Sequence, residues 1–204
     1  MPSPGRTRTY DQHQLARDRD HHRCRTGAVL DHLGKGTLVT LIGVDLGIHK
    51  INTAVYTHGD SGLTLYTVPS HVAQTDSRPA QLWELSRFLV DLTQSYDADH
   101  VWIEDIILGN NRKYSLQLAQ VLGACLAAMA LVQGTCDVHL VDNKTWKKAV
   151  VGNGNASKED VKNYIVESHP SYAALCEDEQ DAIDAACVGL YGLTIHDRAE
   201  HLTL

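Results

Sequence analysis

From Leu38 onward the chain alternates short apolar runs with amphipathic stretches. The run LVTLIGVD, Leu38 to Asp45, is apolar through most of its length, the pattern of a strand buried on both faces. Ile51 to Thr57 and Leu63 to Val68 alternate instead, and the Gly-containing stretch His58 to Gly62 joins them, which predicts an antiparallel three-strand meander. A helix is expected from Pro79, whose fixed φ suits a first helical position, with Leu82, Leu85, Leu89 and Leu92 on one face. His100 to Asp105 (HVWIED) is a short buried strand ending in acids. Ser115 to Val132 is a long helix with Leu118, Val121, Leu122, Cys125, Met129 and Val132 at helical spacing. Asp137 to Val141 supplies a fifth strand, and a short helix spans Lys144 to Val150. After the loop Gly152 to Ala156, Ser157 and Asp160 make an S-x-x-D capping box that opens another helix. The last helix is expected from about Asp178 to Leu190. The order predicts an α/β fold, a five-stranded mixed sheet flanked by helices on both faces.

The pattern divides the chain into a polar arm (residues 1–38), one domain (39–192) and a short tail (193–204). The arm has no sustained period and reads as a flexible basic extension. Its stretch Arg17 to His32 faintly resembles the start of an HNH nuclease, but Gly27 stands where a second metal-binding cysteine belongs. Five cysteines without a C-x-x-C pair indicate neither a disulfide framework nor a structural zinc site. The longest apolar stretch, Val121 to Val132, falls short of the roughly 18 residues of a membrane span, so a soluble, cytoplasmic protein is expected. Net charge is −7, yet the arm carries seven basic residues against four aspartates, a local +3 that leaves −10 for the remainder. A domain that acidic meets nucleic acid only if its acids are concentrated on metals or on a far surface.

Three acidic positions bear on that condition. Asp45 ends the first strand in GVDLG, and Glu104 ends a buried strand in VWIED. Asp181 and Asp184 in DEQDAIDAA lie three apart and so share one helix face. Taken singly, each is what a solvated strand end or an acidic helix start looks like. Taken together, carboxylates at buried strand ends need a compensating charge, and hard oxygen donors suit magnesium or manganese.

Four segments carry a resemblance to a known family: GVDLG, IEDIILGNNRKYSLQLAQVLGACLAA, KKAVVGNGNASKEDV and QDAIDAACVGL. In order and spacing they resemble the successive blocks of the RuvC Holliday-junction resolvases, over about residues 39 to 192. The resemblance implies an RNase H-like fold, with which the predicted element order is compatible. It implies a homodimer that cuts four-way junctions by paired symmetric nicks, with two Mg²⁺ ions per site that Mn²⁺ can replace. The family's acids match Asp45, Glu104, Asp181 and Asp184. Arg112, Lys113, Lys144, Lys147, Lys148, Lys158 and Lys162 become candidate DNA contacts, with Lys148 the candidate for stabilising charge on the scissile phosphate.

The chain also departs from the family. Ile107 stands where cellular members commonly place an aromatic three residues after the second acid, with Tyr114 a candidate substitute. His49 and Lys50 occupy a turn that is usually small or polar. These features resemble a divergent, phage-encoded member with broader taste for branched DNA, acting in the bacterial host cytoplasm. The small-residue strip Ala119, Gly123, Ala127 and Ala130 fits either a close partner helix or packing on the chain's own sheet. Three other readings stand beside this one: an RNase H-like nuclease of other specificity, a non-catalytic junction binder, and half of an actin or sugar-kinase type ATPase. The last needs two duplicated halves and a second Gly-rich phosphate loop; there is room for one half, and no nucleotide cofactor or membrane is expected.

Overall fold

The computed structural model describes residues 39–59, 62–107, 109, 111–131, 136–176 and 179–202. The expected basic arm, residues 1–38, lies outside the described residues. Strands β1 (Val39–Leu46), β2 (Lys50–Gly59) and β3 (Gly62–Thr67) form the predicted antiparallel meander. After helix α1 (Arg78–Ser95), β5 (His100–Glu104) joins β1 in parallel; after helix α2 (Arg112–Leu131), β6 (Asp137–Val141) joins β5 in parallel. The sheet has six strands rather than five, in the order β3-β2-β1-β5-β6. The extra one, β4 (Ser70–Val72), pairs with the start of β2. Three residues beyond Pro69 are too short to show a period, and the proline itself breaks the ladder, its carbonyl accepting from Thr53 N.

Strand alternation splits the core into two layers. Ile42, Val44, Ile51, Val55, Val101 and Ile103 face α1 and α2. Leu41, Ala54, Tyr56, Trp102 and Val141 face α3 (Asn143–Val150), α4 (Lys158–Ser168), α5 (Pro170–Leu175) and α6 (Gln180–Leu202). Asp142 caps α3, accepting from the backbone N–H of Lys144 and Thr145. Gly152, at φ +86°, turns the chain out of that helix, and the Ser157–Asp160 capping box opens α4 as predicted. By length and composition α2 could cross a membrane, yet its Val121, Leu122, Cys125 and Met129 pack in the core.

The last helix runs to Leu202 instead of stopping near Leu190, so residues 193–202 continue it. The polar stretch after Tyr191 hides the continuation, but Leu193 is buried, and Gly192 is a packing glycine whose added Cβ would lie 2.3 Å from the Trp102 ring. Arg112 and Lys113 likewise belong to the exposed first turn of α2, not to the preceding loop.

Helix α6 crosses β1 with almost no space between the backbones. A Cβ on Gly43 would lie 2.3 Å from the Ala185 carbonyl oxygen, and one on Gly189 would lie 2.4 Å from the Tyr56 ring. Tyr56 Oη donates to the Ala186 carbonyl at 2.8 Å, fixing the same stretch of helix. Gly43→Ala should therefore cost about 3 kcal/mol or more, seen as a fall in Tm of roughly 10 °C. Parent-like stability would mean that the helix does not rest where described.

Candidate active site

Asp45 is the penultimate residue of β1, opposite Asn52 in the ladder, and Glu104 ends β5 opposite Val141. Period-two alternation sets both on the face that α6 covers. Asp181 and Asp184 lie in the first two turns of α6, and the Gly43 contact seats the neighbouring Ala185 directly on β1. The four acids named from the sequence thus meet at one end of the sheet.

Their charges act on one another. Burial first, then the charges of Glu104, Asp184 and Asp181, raise Asp45 from the usual carboxylate value to about 8, against an opposing pull from Lys158. Burial also raises Glu104, against hydrogen bonds from Asn143 and Trp146, and raises Asp184, against a bond from Gln180 and the charges of Lys158 and Lys147. Asp181 is half exposed, with Lys158 Nζ 4.0 Å from its Oδ1. Such a set of oxygen donors, without sulfur or imidazole, fits hard divalent cations.

The lysines divide by position. Lys147 donates to the Ala156 carbonyl at 3.0 Å and lies over the Trp146 ring, while its charge reaches Glu104 and Asp184. Lys158, the first residue of α4, reaches Asp45 and Asp184. Lys144 and Lys148 are exposed on α3, and Lys162 is half-buried on α4. Beside Asp45 and Glu104 an open cleft is lined by Asp105, Ile106, Ile107, Leu118 and Asn143. Ile107 is 60% exposed there, and Tyr114 is exposed in the first turn of α2.

Sequence reasoning missed the residues that hold the acids. Asn143 Nδ2 donates to Glu104 Oε1 at 2.8 Å, and Trp146 Nε1 donates to Glu104 Oε2 at 2.9 Å. Gln180 Nε2 donates to Asp184 Oδ1 at 2.9 Å. Asn143 and Trp146, three apart on a helix that follows a strand, were the one readable signal. Asn52, beside Asp45, is buried and its Oδ1 has no hydrogen-bond partner among the described residues, which leaves an acceptor at the site for an incoming donor. Lys50 Nζ holds Glu179 Oε2 at 2.6 Å, and Arg78 bonds the carbonyls of Ile48 and Gln117, so the β1–β2 turn is anchored on both sides.

A mixed sheet in this order, with carboxylates at the ends of neighbouring parallel strands and on the helix across them, is the RNase H-like arrangement. Residues 41–190 match the model of the crossover junction endodeoxyribonuclease RuvC, and the chain belongs to the RuvC family, which is metal-dependent. RuvC of Helicobacter pylori is 31% identical over 121 residues, covering 59% of this chain and 76% of the relative. RuvC of Nitratidesulfovibrio vulgaris is 31% identical over 130 residues, covering 63% and 75%. Among solved structures, Thermus thermophilus RuvC aligns with a TM-score of 0.62 at 18% identity, over 75% of this chain and 92% of that one. The same enzyme in complex with a Holliday junction gives 0.60 at 15% identity, with the same coverage. The yeast mitochondrial Holliday junction resolvase gives 0.56 at 12%, over 75% and 77%.

Without metal, the folded protein keeps a proton on Asp45 up to about pH 8, whereas the unfolded chain releases it near 3.8. Folded protein then binds more protons than unfolded between those values, so stability falls as pH rises through that window. In EDTA, Tm should fall from pH 6 to 8, one proton setting a slope of up to about 1.4 kcal/mol per pH unit. Asp45→Asn should flatten the fall, and Mg²⁺ should reverse it by binding the deprotonated acids. An Asp45→Asn protein with the parent's slope would assign the proton to another group.

Proposed function

We propose that this chain is a structure-selective DNA endonuclease that resolves four-way junctions, and accepts other branched DNA, by paired symmetric nicks. The carrying observation is the convergence of Asp45, Glu104, Asp181 and Asp184 from β1, β5 and α6 at one end of the sheet. As metal ligands they would hold two Mg²⁺ ions, with Mn²⁺ able to substitute, which supply an activated water on one side of the phosphodiester and stabilise the leaving 3′ oxygen on the other. Asn143 and Trp146 orient Glu104, and Gln180 orients Asp184, so the carboxylates are set before DNA arrives. Lys147 and Lys158, beside the acids, are better placed than Lys148 to meet charge developing on the scissile phosphate. Lys144, Lys148, Lys162, Arg112 and Lys113 remain for phosphates along the DNA path. Exposed Ile107 offers no aromatic face for a crossover base, which favours broad substrate choice over strict sequence preference. The working place is the cytoplasm, that of a bacterial host if the chain is phage-encoded.

Labelled four-way, three-way, flap and linear duplex DNA with Mg²⁺, Mn²⁺ or EDTA provides the test. The parent should nick the four-way junction at paired positions with either metal and not in EDTA. Glu104→Gln and Asp184→Asn should abolish nicking while junction binding stays intact or tightens; cutting by either at the parent's rate would refute the assigned site. Lys147→Ala with Lys158→Ala should weaken binding and lower its salt slope by about one for each phosphate that the protein no longer neutralises. Metal-dependent cutting of linear duplex alone favours another RNase H-like specificity, and junction binding without cutting favours a scaffold.

We also infer a homodimer through α2. Ala119, Gly123, Ala127 and Ala130 are all exposed, with Leu116 62% and Leu131 82% exposed on the same helix. A Cβ at Gly123 would meet nothing within 4 Å, and with the three alanines exposed the strip packs against none of the described residues. Leu116→Glu should leave the monomer folded, convert the dimer to monomer in sedimentation, and leave single nicks in place of paired ones. Unchanged sedimentation of a dimer would move the interface off this helix.

A further inference from the structure

At the other end of the sheet lies a cluster that the nuclease chemistry does not use. His100 opens β5, and its ladder partner is Asp137, the first residue of β6; His139 follows two positions later. Period-two alternation puts all three on the face under α6, with Trp102 and Val141. His139 Nε2 lies 3.4 Å from His100 Nδ1, Asp137 Oδ2 lies 4.0 Å from that same nitrogen, and the three donor atoms fall within 4.8 Å of one another. From α6, the ring of His196 stands 5.5 Å from that of His100, and its buried Nδ1 has no hydrogen-bond partner among the described residues.

We propose that His100, Asp137, His139 and His196 form a second metal site, for a borderline first-row transition ion such as Zn²⁺. A separation of 3.4 Å is long for a hydrogen bond. It matches the edge of a tetrahedron with metal–nitrogen bonds of about 2.0–2.1 Å, which is roughly 3.3–3.4 Å. Asp137, 77% exposed in its side chain, is free to swing in and close the wider edge. The imidazoles are held in place: His139 stacks on Trp102 at 4.4 Å and 19°, and Trp102 meets the edge of Tyr191 and the bare backbone of Gly192. Glu104 lies four residue steps along β5 from His100, about 13 Å. The two donor sets therefore hold different ions. Imidazole selects zinc-like ions, whereas Mg²⁺ takes oxygen. An ion here would clamp the second half of α6 to the β5–β6 edge, where His100 and His139 offer two rings and the helix a third.

The test uses the full chain, untagged, carrying Asp184→Asn to silence the acid cluster, and titrates it with CoCl₂ and with ZnCl₂. We expect one equivalent of Co²⁺ with the intense visible bands of a tetrahedral site, displaced by Zn²⁺ and indifferent to excess Mg²⁺. His100→Gln with His139→Gln should abolish those bands, and His196→Gln alone should weaken binding. In an otherwise parent chain, the paired glutamines should retain Mg²⁺-dependent junction nicking and the parent's circular dichroism, which separates loss of ligands from loss of fold. Binding of unchanged affinity in the paired variant would place the ion elsewhere on the chain and overturn the site, as would the absence of any saturable binding to the Asp184→Asn protein.

Discussion

The acid cluster depends on a contact between two backbones. Gly43 and Gly189 carry no side chains where α6 crosses β1, and no other residue type fits at distances of 2.3–2.4 Å. That crossing fixes both the height and the rotation of the helix. With Ala185 pressed against β1, Asp184 comes to the end of the sheet where Asp45 and Glu104 emerge. Tyr56 strengthens the seating by bonding the Ala186 carbonyl, and Trp146, wholly buried, ties α3 to Glu104. The site is thus a consequence of packing, and a methyl group on a residue that is not itself an acid is enough to disturb it.

The same packing makes the cluster electrostatically unfavourable in isolation. Asp45 is driven to about 8 because desolvation and three neighbouring acids all disfavour its charge. Fixed donors hold Glu104 and Asp184, but these bonds do not outweigh burial, since both groups still titrate above the ordinary carboxylate range. A dication bound among the acids would add an attraction to each carboxylate that opposes both the desolvation and the mutual repulsion. The penalty is therefore concentrated where, on the proposed function, the cations would bind.

Most of this was legible in the sequence for identifiable reasons. The meander, the parallel strands, the capping box at Ser157 and the order of the four acids all leave strong local patterns, and each appears in the structure. What escaped notice lacks such a pattern. Strand β4 is three residues long and sits behind a proline. The continuation of α6 past Leu190 has no strong apolar period, and Gly192 is a packing contact for Trp102. Gln180 and Asn143 show their purpose only once the carboxylates they bond have been brought near from elsewhere in the chain. Asn52 belongs to the same class: its position opposite Asp45 is a fact of register, not of local sequence.

The topology also answers how an acidic domain meets a polyanion. Helix α3 leaves β6 directly, so its amino terminus lies where the parallel strands end in their carboxylates, and α4 and α6 begin beside the same acids. Asn143 is the first residue of α3 and bonds Glu104. Lys158 is the first residue of α4 and lies beside Asp181, itself in the first turn of α6. Three helix amino termini, each with a partial positive charge, therefore border the acids, and Lys147 and Lys158 add whole charges among them. On the proposed function the net charge of the domain says little about its affinity for phosphate, because the acids that would face the DNA are the ones the cations would neutralise. Binding and cutting are separable on that function: the lysines and helix ends would act on phosphate with or without metal, while the carboxylates would oppose binding until cations occupied them.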